Sequence, residues 1–274
     1  MPALRFFLLS FLGLLLTGCL SHRDNLMVNH LSSSLDAYPE VLQTRYFPLQ
    51  TLQVLSTQGQ TLRVYIEGDG HAWASRRRPS LDPTPYNLML IDLMRRDNFS
   101  DRVYLARPCQ FVSSENCKIP VWTSLRYSQP MVDTLNEALD QLKAKGPYSN
   151  IELIGFSGGG TLALLMATSR TDIISIRTVA GNLDPAFVNQ FHKVSPMPDS
   201  LNPIDFSNRL ASIPQLHFIG GKDTVITPAV YDHYQSSFSK QYCLSRYVKP
   251  SAGHNTGWEQ SWPELLEIPV KCRQ

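Results

Sequence analysis

Sixteen consecutive residues, Ile151 to Met166, constrain this chain more than any others. They run Ile-Glu-Leu-Ile-Gly-Phe-Ser-Gly-Gly-Gly-Thr-Leu-Ala-Leu-Leu-Met. This reads as an apolar strand, a Gly-x-Ser-x-Gly turn at Gly155–Gly159, and the start of an apolar helix. A strand that turns this tightly into a helix needs small residues on both sides of the bend. It also holds the serine out of the sheet, where a carbonyl group can reach it. The segment therefore predicts a sheet covered by helices, with Ser157 at its rim.

The rest of the chain repeats that alternation. Tyr46 to Ser56 and Thr61 to Glu67 are β-rich runs, and Thr57-Gln-Gly-Gln60 between them reads as a hairpin turn. Arg102 to Ala106, Ile173 to Ala180, Gln215 to Ile219 and Tyr242 to Val248 read as further strands. Helical periodicity marks Tyr86 to Arg96, Pro130 to Lys145, Thr227 to Ser239 and Trp262 to Glu267. Alternating strands and helices imply right-handed crossovers and a mostly parallel sheet with helices on both faces. The leading hairpin adds antiparallel strands at one edge. Gly181 to Leu210 reads as an irregular, proline-containing insertion, a candidate cap or lid. At 274 residues and 43% hydrophobic, the chain can bury one sizeable α/β core. Its net charge of +2, with no long basic run, gives no footing for nucleic-acid binding.

The first residues stand apart from this pattern. Met1 to Arg5 is a short positive stretch, and Phe6 to Leu16 is apolar but too short to span a bilayer comfortably. Leu16-Thr17-Gly18-Cys19 then closely resembles a bacterial lipobox, whose cysteine is lipidated and becomes the mature N-terminus. An ordinary secretory signal that happens to contain a cysteine is the alternative. Residues 1–18 are read as the signal peptide, 19–44 as a lipidated tether, and 45–274 as the folded domain. By resemblance to other lipoproteins, Leu20 after the cysteine implies the outer membrane, facing the periplasm. Four cysteines remain, Cys109, Cys117, Cys243 and Cys272, and an even number in an exported chain points to disulfides. Of three possible pairings, Cys109–Cys117 and Cys243–Cys272 are favoured because each pair lies within one region of sequence. Loop closure alone would make them worth about 2.5 and 3.5 kcal/mol. Free buried cysteines are the alternative, and the spacings do not suggest zinc.

A serine hydroxyl needs a base to become a nucleophile, and the base needs an acid to orient it. On a strand–turn–helix elbow the chain order is serine, acid, histidine. Asp223 follows the strand at 215–219 within Gly220-Gly-Lys-Asp223, at a carboxyl end where loops carry chemistry. Asp205, in the insertion, and Asp232, in a helix, are worse placed. His254 lies in Pro250-Ser-Ala-Gly-His254, just after the last strand. His22 and His30 fall in the tether, His192 in the insertion, His217 in a strand and His233 in a helix. His71 is near the presumed site but precedes the serine. For the oxyanion of a tetrahedral intermediate, the N–H of Gly158 is one expected donor. The other is the N–H of Asp69, with Gly70 next.

With these motifs the chain resembles an α/β-hydrolase of the serine-esterase type, and is similar to bacterial lipoprotein members of that superfamily. The resemblance covers about residues 46–270. It implies acyl transfer on Ser157, His254 and Asp223, a small ester or other acyl substrate, membrane attachment through the lipid, and no metal or organic cofactor. A peptidase, thioesterase or acyltransferase would share the same constellation, and a non-catalytic envelope binding protein is a more distant alternative. One departure stands out: many relatives carry His-Gly at the oxyanion loop, and this chain has Glu67-Gly68. Glu67 is expected to pin the loop, by a hydrogen bond or a salt bridge to Arg107. Trp73, Trp122 and Trp258 lie near motif loops as candidate pocket walls or plain core residues.

Overall fold

The structure is a computed structural model that describes residues 28–29 and 31–273. The expected signal peptide, Cys19 and Leu20, and two of the excluded histidines, His22 and His30, lie outside the described residues.

Among the described residues ten strands form: β1 (Tyr38–Leu42), β2 (Leu49–Val54), β3 (Thr61–Ile66), β4 (Trp73–Ser75), β5 (Arg78–Pro79), β6 (Arg102–Leu105), β7 (Asn150–Phe156), β8 (Ile173–Val179), β9 (Gln215–Gly220) and β10 (Leu244–Lys249). Eight of them make one sheet in the order β1-β2-β6-β3-β7-β8-β9-β10, and β4 and β5 form a separate small hairpin. From β6 to β10 every pairing is parallel, and β2 is antiparallel to both β1 and β6. This is the mostly parallel sheet with an antiparallel start that the α/β-hydrolase resemblance implies.

The alternation of side chains along each strand divides the core between two faces. Leu62, Val64 and Ile66 of β3 point to one face. There they meet helices α2 (Gln129–Lys143), α3 (Gly158–Ala167) and α5 (Pro228–Ser236). Tyr65 of β3 and Phe218 of β9 point to the other face, which is covered by α1 (Met89–Arg95) and α6 (Trp262–Leu266). Helix α3 is buried along its whole length, which is why its sequence is apolar on every side.

Three expectations change. The tether does not run to residue 44: residues 31–35 are helical, Val28, Leu31 and Leu35 enter the second core face, and β1 forms the sheet edge. The leading hairpin joins β1 to β2, not β2 to β3, because β6 lies between β2 and β3. The insertion is not wholly irregular: α4 (Pro185–Phe191) starts there, with Pro185 in its first turn and the Asp184 carboxylate accepting from the Phe187 N–H. The four cysteines pair as expected, Cys109 with Cys117 and Cys243 with Cys272.

Candidate active site

The loops that follow β3, β7, β9 and β10 meet at the carboxyl edge of the sheet. Ser157 occupies the turn between β7 and α3 with φ 49° and ψ −119°. A non-glycine residue rarely adopts this conformation, and it is held here by backbone hydrogen bonds. The Ser157 N–H donates to the Val179 carbonyl at 3.1 Å, and its own carbonyl accepts from Gly160 and Asn182 at 3.0 and 2.9 Å. The flanking glycines are required by close approach. A Cβ on Gly155 would strike the Gly159 backbone, and one on Gly159 would strike the carbonyl oxygens of Ile66 and Glu67.

The structure brings Ser157, His254 and Asp223 into one chain of hydrogen bonds. His254 Nε2 lies 3.1 Å from Ser157 Oγ, and His254 Nδ1 lies 2.9 Å from Asp223 Oδ2. Asp223 is fully buried at its side chain, while His254 keeps about a fifth of its surface. The second carboxylate oxygen of Asp223 accepts from the N–H groups of Val225 and Ile226, at 2.7 and 2.8 Å, so the acid cannot swing away. The His254 loop is anchored in turn by buried Trp258, whose indole N–H donates to the carbonyls of Gly253 and His254. The Phe156 ring lies against the imidazole, 5.3 Å between centroids.

The other candidates go elsewhere. Asp232 pairs with Arg246, and Asp205 sits exposed in a short turn. His217 is buried against Thr178, and burial pushes its imidazole down to about 3. His192 donates to the Val225 carbonyl, steadying the segment beside Asp223. His233 bonds Asp184 at 2.6 Å, forming a second His–Asp pair away from Ser157. His71 packs against the Tyr86 ring, tilted by 42° with centroids 4.5 Å apart, and both line the cleft.

The cleft over Ser157 has a volume of about 370 Å³, within the range of small-molecule sites. Glu67, Asp69, Gly70 and His71 form one wall, and Phe156, Val225 and His254 face them. Among the described residues, the backbone N–H groups of Gly158 and Asp69 have no protein partner. Both are therefore available to an oxyanion. The Asp69 side chain has a different task. Its carboxylate packs against the Gly158 backbone and is gripped by Arg107, by Arg126 at 3.2 Å and by the Tyr127 hydroxyl at 3.1 Å. Burial works against its charge, but Arg126 and Arg107 outweigh that and hold the carboxyl below its usual range.

Arg107 thus serves Asp69, and the expected Glu67–Arg107 bridge does not form. Glu67 pins the loop by hydrogen bonds alone, as its other expected role allowed. One carboxyl oxygen accepts from the Gly68 N–H at 2.7 Å, and the other from the Tyr104 hydroxyl at 2.8 Å. Burial raises this carboxyl to about 7, with those two hydrogen bonds opposing the rise in part. None of the three tryptophans lines this cleft. Trp122 is buried on the Ser80 carbonyl, Trp258 holds the His254 loop, and Trp73 edges a different groove. No residue of 182–210 lines it either. Arg107 was expected at Glu67 rather than at Asp69, and Arg126, Tyr127 and Tyr104 were not expected at this loop, because all four reach it from distant segments.

Residues 123–256 match the family model "Serine hydrolase (FSH1)", a span just under half the chain that contains Ser157, Asp223 and His254 but not the loop at 67–71. No curated protein matches the chain in sequence. In structure it is similar to the esterase Pf2001 of Pyrococcus furiosus, with a TM-score of 0.61 and 14% identity, covering 87% of this chain and 92% of that one. It is also similar to Est1E from Butyrivibrio proteoclasticus, with a TM-score of 0.55 and 10% identity over 83% and 97% of the two chains. A membrane phospholipase A described as a bacterial virulence factor aligns with a TM-score of 0.56 and 14% identity over 96% and 97%.

Proposed function

We propose that this chain, a serine hydrolase of the α/β-hydrolase superfamily, cleaves carboxylic esters through an acyl-enzyme on Ser157. The reading is carried by one observation, the continuous line from Ser157 Oγ through His254 to Asp223. Ser157 Oγ attacks the ester carbonyl while His254 Nε2 takes the hydroxyl proton. The carbonyl oxygen becomes an oxyanion and accepts from the Gly158 and Asp69 N–H groups. Asp223 keeps Nδ1 protonated and stabilises the imidazolium. The intermediate collapses, the alcohol leaves with the proton from His254, and Ser157 remains acylated. Water, deprotonated by His254, then attacks the acyl carbonyl and releases the acid and free Ser157.

Ser157→Ala is expected to abolish fluorophosphonate labelling and to cut hydrolysis of a short nitrophenyl ester by at least about a thousandfold. Retained labelling would remove Ser157 from the role. A dominant rate on aminoacyl amides or thioesters, at matched acyl length, would replace the ester reading with one of its rivals.

We further propose that Cys19 carries a lipid and holds the enzyme in the bacterial envelope, at the outer membrane facing the periplasm. Support comes from Leu16-Thr17-Gly18-Cys19 behind its apolar stretch, and from two disulfides of the kind that persist in oxidising compartments.

A further inference from the structure

A second groove lies on the far side of the Asp69–Arg126 ion pair. It is larger than the Ser157 cleft, about 660 Å³, and four cations line it with no carboxylate among its walls: Arg76, Arg77, Arg126 and Lys193. Arg76 and Arg77 come from the turn between β4 and β5, and Lys193 from the turn that ends α4. The side chains of Arg76, Arg77 and Lys193 have no hydrogen-bond or ion-pair partner among the described residues. Arg126 is nearly buried and already shares its charge with Asp69. This concentration is local, since the whole chain carries a net charge of only +2. Like charges gathered in a concave site repel one another and focus a positive field into it.

The floor of the groove has the opposite character. Val194, Pro196 and Met197 line it, and the same three residues also wall an adjoining cavity of about 410 Å³. That cavity continues over Pro185, Ala186 and Leu201 and is mostly apolar. A cationic groove thus adjoins a mostly apolar cavity, and the two share Val194, Pro196 and Met197 as walls. A small inorganic anion would satisfy the groove and leave the cavity empty, and a neutral alkyl chain would do the reverse.

We propose that the groove and its extension bind an amphipathic anion, a carboxylate or phosphate group on an alkyl stem. The anionic oxygens sit between Arg76, Arg77 and Lys193, where guanidinium groups can donate two hydrogen bonds each. The stem lies over Val194 and Met197 into the apolar cavity. This site does not depend on Ser157 being a nucleophile, and its test does not use catalysis.

The experiment is calorimetric titration of the full chain with octanoate, octyl phosphate and octanol at low and high salt. The proposal expects at least one anion to bind tenfold or more tighter than octanol, with the advantage shrinking in high salt. Whichever anion binds tighter identifies the source, carboxylate or phosphate. Arg76→Ala/Arg77→Ala/Lys193→Ala should erase the preference, and Lys240→Ala/Lys271→Ala, which removes positive charge elsewhere on the surface, should keep it. All three exchanged groove residues make no hydrogen bond through their side chains, so the variant is expected to fold, and its melting curve checks this. Equal binding of octanol, no binding by any of the three, or a preference that survives the triple exchange would overturn the proposal. The last result would place the anion elsewhere on the chain.

Discussion

Glu67 is a carboxyl group withdrawn from water at the edge of the Ser157 cleft. In solution such a group titrates near 4.5, and here burial lifts it to about 7. The folded value therefore lies above the unfolded one. The folded state binds this proton more tightly, so the stabilisation is complete below about pH 4.5 and is lost as the pH rises through 7. Carrying the group from 4.5 to about 7 corresponds to about 3 kcal/mol. Glutamine can keep the bond from Gly68 and offer an N–H to Tyr104, yet it does not titrate. Relative to wild type, Glu67→Gln should gain up to about 3 kcal/mol of unfolding free energy between pH 4.5 and 8. Urea denaturation across that range measures it, and parallel pH profiles would mean that Glu67 does not titrate in the folded chain. The sequence marked Glu67 and Asp69 as important without showing which of them Arg107 would take. The two acids lie two residues apart on one loop, and the partner was decided by where β6 delivers the arginine.

At the scale of elements, the N-terminal segment differs most from its sequence reading. The segment carries the polar run Ser32-Ser-Ser34, yet Val28, Leu31 and Leu35 fall at helical spacing and all three are buried. Pro39 is tolerated in β1 because β1 is an edge strand. A chain beginning at residue 45 loses this cover from the core face around Leu52. Compared with a chain beginning at residue 28, it should be less stable by about 3 kcal/mol or more, since each buried aliphatic side chain contributes about 1.5–3 kcal/mol. Equal urea midpoints would restore the tether reading. The β2–β3 hairpin failed for a related reason. The turn between them reads correctly as a break, but a strand from more than thirty residues further on inserts between the two. Local turn chemistry has no information about such a partner.

At the scale of the molecule, the proposed anchor lies only a short stretch of sequence from the folded domain. Only eight residues separate Cys19 from Val28, the first buried residue among those described. Fully extended, they reach about 30 Å, so a lipid on Cys19 would keep the domain against the membrane surface. Cys19→Ser should abolish labelling by a fatty-acid probe and move the protein from the membrane to the soluble fraction. Persistent labelling would make the lipobox reading wrong. The sequence by itself determined the fold class, the elbow at Ser157 and the loops bearing Asp223 and His254, and it favoured the cysteine pairing that the structure shows. These are written in short stretches: apolar runs of strand length, a glycine-flanked bend, chain order, and cysteines grouped by region. Only the tertiary structure decided that β6 parts β2 from β3, that Arg107 and Arg126 grip Asp69, and that four cations share one groove. Each of those depends on distances between segments far apart in the chain, which are set when the sheet assembles and both core faces are covered at once.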